Sequence, residues 1–355
     1  MNRVFAVFSA LIALATLQSC STEFDLNAPP KDIWVVYGTL NPSADYQYIR
    51  VSQAFLTEGN ALEYAKENDL SAPNLLVTLE GDGKTYTATQ VDSVPKTPED
   101  GLFYPYTTLY RFETTGNLAL RAGKSYDLTV QQPDNPDFEL TAETDIPEEV
   151  TLTGLNYTPN STGRCLRVVE ISGLYTLEFT KGRDVPGSAF EIRSWLKLTK
   201  NGEPVELSYG PTGSFTDDVR CSESGSVVCY QFRENEILQT FYTDLLPTDN
   251  DLIDFGVNEV NRCDDDIDEL PIEFWFRVTA MDRNLYLYQL VNSPGFQDLN
   301  SVRNQYSNIE GEGDVITLGI FGSISTSERP ADLGQCSRYL LKVNETERPT
   351  SPCSL

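Results

Sequence analysis

The sequence predicts a mainly all-β protein: an N-terminal immunoglobulin- or fibronectin-like β-sandwich followed by a larger β-rich domain with one or two short helices. Three observations carry this expectation. Runs rich in β-branched and aromatic residues recur at short intervals along most of the chain. Several of them alternate apolar and polar residues with a period of two, which places one face of a strand on a core. Turn residues punctuate the runs.

The first run is IWVVYGTL (Ile33 to Leu40), closed by Asn41-Pro42. YQYIRVSQAF (Tyr46 to Phe55), NLLVTLE (Asn74 to Glu80), KTYTATQV (Lys84 to Val91), TLYRFET (Thr108 to Thr114) and SYDLTVQQ (Ser125 to Gln132) follow. Gly81-Asp82-Gly83 joins two of these as a hairpin. Residues 58–70 are expected to form a short helical excursion. The first sandwich is assigned to residues 32–148, because ETDIPEEV (Glu143 to Val150) brings proline and paired acids that mark a boundary.

The larger β-rich domain is assigned to residues 149–343, with a tail at 344–355. Its strand-like runs are YTLEFT (Tyr175 to Thr180), AFEIRSWLKLTK (Ala189 to Lys200), SVVCYQF (Ser226 to Phe232), PIEFWFRVTAM (Pro271 to Met281) and DVITLGIFGS (Asp314 to Ser323). One segment breaks the period of two. In RNLYLYQLVN (Arg283 to Asn292), Leu285, Tyr288 and Gln289 recur at helical spacing, so a helix packed on a sheet is predicted there. Trp34, Trp195 and Trp275 fall inside strand runs and are expected in the core.

Composition narrows the function. The 355 residues carry 26 Lys plus Arg against 53 Asp plus Glu, a formal charge of −27, and no histidine. So negative a chain repels phosphate backbones, and no nucleic-acid partner is expected. Without histidine there is no Ser-His-Asp or Cys-His device, no HExxH zinc site and no imidazole proton shuttle. Carboxylate pairs suited to glycoside hydrolysis arise by chance among so many acids, and no motif raises them above that background.

Residues 1–19 read as a signal peptide: Arg3, then an apolar run from Val4 to Leu17, too short to span a bilayer core of about 30 Å. The run ends in Leu17-Gln18-Ser19-Cys20, which resembles a bacterial lipobox with Cys20 as the lipidated residue. An ordinary signal peptide with a chance cysteine is the plainer alternative. Residues 20–31 then form the lipidated Cys and a polar, proline-bearing tether.

With Cys20 taken by lipid, six of the seven cysteines remain: Cys165, Cys221, Cys229, Cys263, Cys336 and Cys353. An even number in an exported chain reads as up to three disulfides. Cys221 and Cys229 flank SESGSVV, whose Ser-Gly turn would bring them across a hairpin. A metal site lacks any CxxC and any histidine.

Two surface features are candidates for binding. CDDDIDEL sets Asp264, Asp265, Asp266, Asp268 and Glu269 beside Cys263; several carboxylates so close suit Ca²⁺, although the EF-hand spacing and glycine are missing, and a solvated acidic loop is the plainer reading. Asp249, Asn250, Asp251 and Asp254 form a similar cluster. No other cofactor is expected. LFYPYTTLYRF places Phe103, Tyr104, Tyr106 and Tyr110 around Pro105, aromatics that would stack on sugars or anchor a protein interface unless they pack on the sandwich.

Several segments, in order along the chain, resemble the DUF4249 lipoproteins of Bacteroidota. They are VVYGTLNP (Val35 to Pro42), TDIP (Thr144 to Pro147), FRVTAMDRNLYLYQL (Phe276 to Leu290) and YSNIEGEGDVITLGIFGSIS (Tyr306 to Ser325). The carrying residues are Tyr286 and Tyr288 on the helix, Tyr306 to Ile309 with Gly311 and Gly313, and Phe321 with Gly322. The sequence departs in placing DVITL ahead of GIFG, and residues 155–270 match only diffusely, through VCYQF. Glu23 and Asp25 after Cys20 resemble the export signals of surface lipoproteins in that phylum, and Asp92-Ser93-Val94 resembles its O-glycosylation motif. The resemblance implies an outer-membrane lipoprotein, held to the membrane by its N-terminal lipid, with no catalytic residues to carry over. The expected function is a surface-exposed, non-catalytic accessory to a TonB-dependent transporter. A structural or assembly component of an envelope complex is the alternative, and a carboxylate-based glycan-active enzyme the third.

Overall fold

The structure, a computed structural model, describes residues 33–54, 61–96, 104–158, 165–166, 174–180, 189–200, 203–209, 214–215, 227–232, 253–254, 272–292, 306–313 and 315–333. In chain order the N-terminal part contains β1 (Ile33–Leu40), β2 (Tyr46–Ala54), α1 (Ala61–Glu67), β3 (Leu76–Gly81), β4 (Lys84–Thr87), β5 (Thr89–Pro95), β6 (Tyr106–Glu113), β7 (Ser125–Gln132) and β8 (Asn135–Asp145). There follow β9 (Thr151–Thr158), β10 (Cys165–Leu166), β11 (Leu174–Thr180), β12 (Ala189–Lys200), β13 (Glu203–Tyr209), β14 (Ser214–Phe215), β15 (Val227–Phe232) and β16 (Ile253–Asp254). The last elements are β17 (Ile272–Met281), α2 (Arg283–Asn292), β18 (Glu310–Gly311) and β19 (Ile316–Leu333). The protein is mainly all-β, as expected. The hairpin at Gly81 closes as predicted because Asp82 and Gly83 both take positive φ (49° and 71°), the backbone of a turn whose twist matches that of its strands.

One large sheet organises the molecule. Its order is β13-β12-β17-β19-β1-β2-β6-β5. A five-stranded sheet, β18-β8-β7-β3-β4, and a three-stranded sheet, β15-β11-β9, complete the set. Between the β1-β2-β6 half of the large sheet and the five-stranded sheet lies a core in which alternate residues point inward: Val36, Leu40, Ile49, Val51, Tyr110 and Phe112 from one side meet Val77, Leu79, Tyr126, Leu128 and Leu140 from the other. Trp34 stacks across the gap on Phe138, ring centroids 4.4 Å apart. In the second half, Phe190 meets Phe179 of β11 at 5.3 Å.

The strand that joins the halves is β19. Its first eight residues run parallel to β1, from Ile33 opposite Ile316 to Leu40 opposite Ser323. From Ile324 onward it pairs antiparallel with β17. The boundary placed at residue 148 falls between β8 and β9, yet residues 306–323 return to the first sandwich: β18 pairs with β8, and Ile309 and Phe321 join its core.

Trp34 is buried as expected, but Trp195 and Trp275 are not core residues. They sit opposite each other in the β12–β17 register and share the alternation phase of Lys197 and Arg277, opposite in phase to the buried Phe274 and Phe276. Each ring is capped by a cation, Lys197 over Trp275 at 4.4 Å and Arg277 over Trp195 at 4.1 Å.

Candidate functional site

The helix predicted over Arg283 to Asn292 forms there because Asp282 caps it. Its carboxylate accepts the main-chain N–H groups of Asn284 (3.3 Å) and Leu285 (3.0 Å), two donors that the first turn of a helix otherwise leaves without partners. It also accepts the N–H of Ser323 on β19 (3.2 Å) and the hydroxyl of Thr144 on β8 (3.0 Å). One carboxylate thus ties together a helix, a strand of the large sheet and a strand of the opposing sheet. Burial pushes the Asp282 carboxyl above the usual range, and the four hydrogen bonds oppose that shift.

Around it the polar groups interlock. The Ser323 hydroxyl donates to the carbonyl of Asp145 (2.9 Å) and lies 2.9 Å from the Thr144 hydroxyl. The side-chain amides of Asn284 and Asn308 both donate to the carbonyl of Glu143 (3.1 Å each). The Tyr306 hydroxyl donates to the Asn284 amide oxygen (2.7 Å), and burial raises its phenol. Close packing fixes the arrangement: a Cβ on Gly322 would lie 2.8 Å from Leu285 Cβ and 3.0 Å from Asp282 Oδ1.

Beside this network opens a cleft of about 730 Å³ between the five-stranded sheet, the start of α2 and the segment before β19. Asp127, Glu143, Asp145, Asp282 and Glu310 supply its carboxylates and Arg283 its cation, with Asn308 among its walls. Asp145 accepts the Ser125 hydroxyl. Such a lining repels anions and offers acceptors to polyhydroxylated or cationic groups. Asp282, whose carboxyl pKa is raised by burial, spends its acceptor capacity on main chain and Thr144, so its role here is to hold the cleft in shape.

The aromatic group expected around Pro105 divides. Tyr106 is exposed and meets half-buried Tyr104 edge-on, ring centroids 6.2 Å apart. Tyr110 does not belong with them. Its position in β6 has the same phase as Phe112, which turns it into the core at 1% exposure. There its hydroxyl donates to the Ala72 carbonyl (2.6 Å) and accepts the Leu75 N–H (3.1 Å). Phe103 lies outside the described residues, as do Cys20, Cys221, Cys263, Cys336, Cys353 and the acidic run Asp264, Asp265, Asp266, Asp268 and Glu269. Cys165 pairs with Asp332 through main chain, and Cys229 stands opposite Glu178. Ser93 sits at a register shift in β5 with φ 55°. Among the described residues, no three His, Cys, Asp or Glu side chains are grouped to hold a metal ion.

The sequence reading passed over Asp282, Thr144, Ser323 and Asn308. A signal existed for two of them. An aspartate directly before a helical run marks a cap, and Asn308 stands inside YSNI. Nothing local singles out Thr144 or Ser323.

Fold and site together define a class: an all-β protein of sandwich-like layers sharing one sheet, with an acidic cleft where C-terminal elements return to the N-terminal half. Residues 21–329 match the family described as "Domain of unknown function (DUF4249)", and the chain belongs to that family. No protein of curated function matches it. Among solved structures, the one titled "Crystal structure of CBD12 from CALX1.2" is similar at 10% identity over 84% of this chain and 99% of that one, with a TM-score of 0.16, a likeness too low to carry an argument.

Proposed function

We propose that this protein is an outer-membrane lipoprotein, anchored through Cys20 and facing the cell surface, that serves a TonB-dependent transporter as a non-catalytic accessory by binding its ligand or partner. The observation that carries the binding role is the cleft. It is open and polar, and its walls are cross-linked by the Asp282 and Asn308 networks, so the recess exists before any ligand arrives and little ordering is left to oppose binding. The lipobox at Leu17 to Cys20 supports the anchor, and the large negative charge suits a polar surface held out from a membrane.

Isolation of the native protein from membranes in mild detergent tests the reading. A TonB-dependent transporter at near-stoichiometric yield is the expected result, and its absence would overturn the accessory role. Cys20→Ala tests the anchor separately: the protein should leave the membrane fraction or fail to mature, and unchanged retention would refute lipidation at Cys20.

A further inference from the structure

Away from the cleft, the outer face of the large sheet is only partly covered. Helix α2 lies on this face over β19, where Ile320 clusters with Leu285 and Gly322 lies close beneath Leu285. Its Tyr288 ring meets that of Tyr37 on β1 edge-on, centroids 6.3 Å apart. Beyond Tyr37 the same face of β1 and β2 carries tyrosines at 38% (Tyr37), 42% (Tyr46) and 44% (Tyr48) exposure. In sheet register Tyr37 stands opposite Arg50, and Tyr48 opposite Arg111. Two tyrosine–arginine pairs thus stand side by side across the strands, while Glu113, opposite Tyr46, is an acid of the same face that forms no ion pair with Arg111. The Arg111 guanidinium lies 4.9 Å from the Tyr46 ring centroid, which orders both side chains without consuming the guanidinium's N–H donors.

The charges are out of character with the chain. The protein carries 53 acids, yet Arg50 and Arg111 pair with no carboxylate among the described residues, and the buried Nε of Arg50 has no hydrogen-bond partner. Lys96 adds to the local positive charge: burial first, then Arg50, lower its ammonium pKa, against a smaller opposing effect of Asp69. Two guanidiniums without an ion-pair partner among the described residues, on an exposed aromatic surface, suit a ligand that brings both carboxylates and flat apolar faces.

We propose that this face of β1, β2 and β6 binds acidic oligosaccharides, the tyrosine rings stacking on the C–H faces of the sugars while Arg50 and Arg111 receive their carboxylates. The guanidinium fork matches a carboxylate in two-point fashion, and the phenol rings offer rigid apolar area with few rotors to order. Size favours a short glycan over a protein. From Tyr46 to Arg50 the strand advances about 13 Å, and β1 to β6 spans two strand spacings, about 10 Å. A stable protein interface needs about 800 Å² on each partner, several times that footprint. The site is separate from the acidic cleft, which repels the same ligand.

Titration calorimetry of the full chain with tetragalacturonic acid and with maltotetraose, an acidic and a neutral probe of equal length, tests the proposal. The acidic probe should bind at least about tenfold tighter, and its affinity should fall with added salt. Tyr48→Ala should weaken it about tenfold, with Tyr48→Gln as a second variant that keeps a polar surface, and Arg50→Gln with Arg111→Gln should bring the two probes level. Thr39→Ala, on β1 outside the cleft, should leave the affinity for tetragalacturonate within about twofold. Equal affinity for both probes, no binding of the acidic one, or indifference to both Tyr48 variants would each overturn the assignment. Binding of hexaglutamate as tight as that of tetragalacturonate would overturn the sugar in favour of an acidic peptide.

Discussion

Asn308 pairs with Phe321 as a neighbouring strand would. Its side-chain oxygen accepts the Phe321 N–H at 2.9 Å, and its amide nitrogen donates to the Phe321 carbonyl at 2.7 Å. The same nitrogen reaches the Glu143 carbonyl. One side chain thereby satisfies both main-chain groups of a fully buried residue and ties β19 to β8. Asn308→Ala should lower the unfolding free energy by about 2–4 kcal/mol in denaturant titration, since it strands buried main-chain groups as well as losing the bonds. Asn308→Asp should be no better at neutral pH, because it turns a donor into a charge facing two carbonyls, and should recover stability in acid. A loss under about 1 kcal/mol for the alanine variant would contradict this bridging role.

Gly319 is a second point where the chain admits no alternative. It takes φ +111° within β19, and a Cβ there would lie 1.9 Å from the carbonyl oxygen of Val36 on β1. Backbone in a parallel pair cannot retreat as a flexible side chain can. Gly319→Ala should therefore cost at least about 3 kcal/mol and reduce the yield of folded protein, measurable by thermal unfolding and analytical gel filtration. Gly38→Ala makes a useful contrast, because the atom its Cβ would strike first is the tip of Ile49, which can change rotamer.

These two residues show what the sequence could and could not disclose. The helix at Arg283–Asn292 was legible because its signal is local: Leu285 and Tyr288 at helical spacing behind an aspartate. The alternating runs were legible for the same reason. That Ile316 lies against Ile33 was not, because a parallel pairing across most of the chain leaves no periodic trace in either segment. Asn308 and Gly319 owe their roles to that pairing, so the segment Tyr306 to Ser325 marks both only as members of a motif, with no role for either until β19 is in place. Tyr110 stood under two expectations, inside the strand run Thr108 to Thr114 and among the aromatics around Pro105; its phase with Phe112 decides for packing on the sandwich, and β6 begins at Tyr106, directly after Pro105. Trp195 and Trp275 erred the opposite way, since strand membership says nothing about which face a residue takes when both faces carry rings.

Tyr86 gives a prediction of opposite sign to the first two. It is 4% exposed, its hydroxyl has no hydrogen-bond partner among the described residues, and burial pushes its phenol up to about 12. A buried hydroxyl without a partner costs more than a hydrogen atom in its place, so Tyr86→Phe should stabilise the protein by about 1 kcal/mol in denaturant titration. The pH dependence follows from the direction of the shift. The fold holds the phenolic proton more tightly than the unfolded chain does, so this contribution is complete below pH 10 and is lost as pH rises through about 12. The alkaline loss of stability should be shallower in Tyr86→Phe. Tyr288, also raised to about 12, keeps part of the slope.

Asp282 should leave a signature in acid that runs against the usual behaviour of carboxylates. Most folded-state carboxyls bind protons less tightly than in the unfolded chain, and acid then destabilises. Asp282 has the reverse shift: burial raises its pKa despite four hydrogen-bond donors. The folded state therefore holds this proton more tightly, so the residue's contribution is greatest below the ordinary carboxyl range. It falls as pH rises through the raised folded value, and is constant above that. Asp282→Asn isolates the effect. Its carbonyl oxygen still accepts from Leu285 and Ser323 and its amide can donate to Thr144, while the clash of two donors at Asn284 costs about 1 kcal/mol. Asp282→Ala removes every partner and should cost about 3 kcal/mol, from the lost helix cap and the stranded Ser323 N–H. The stability of the parent relative to Asp282→Asn, followed by denaturant titration from acid to neutral pH, should decline with rising pH. A difference that stays flat, or grows toward neutrality, would mean that the four donors outweigh burial and that Asp282 is held as an anion.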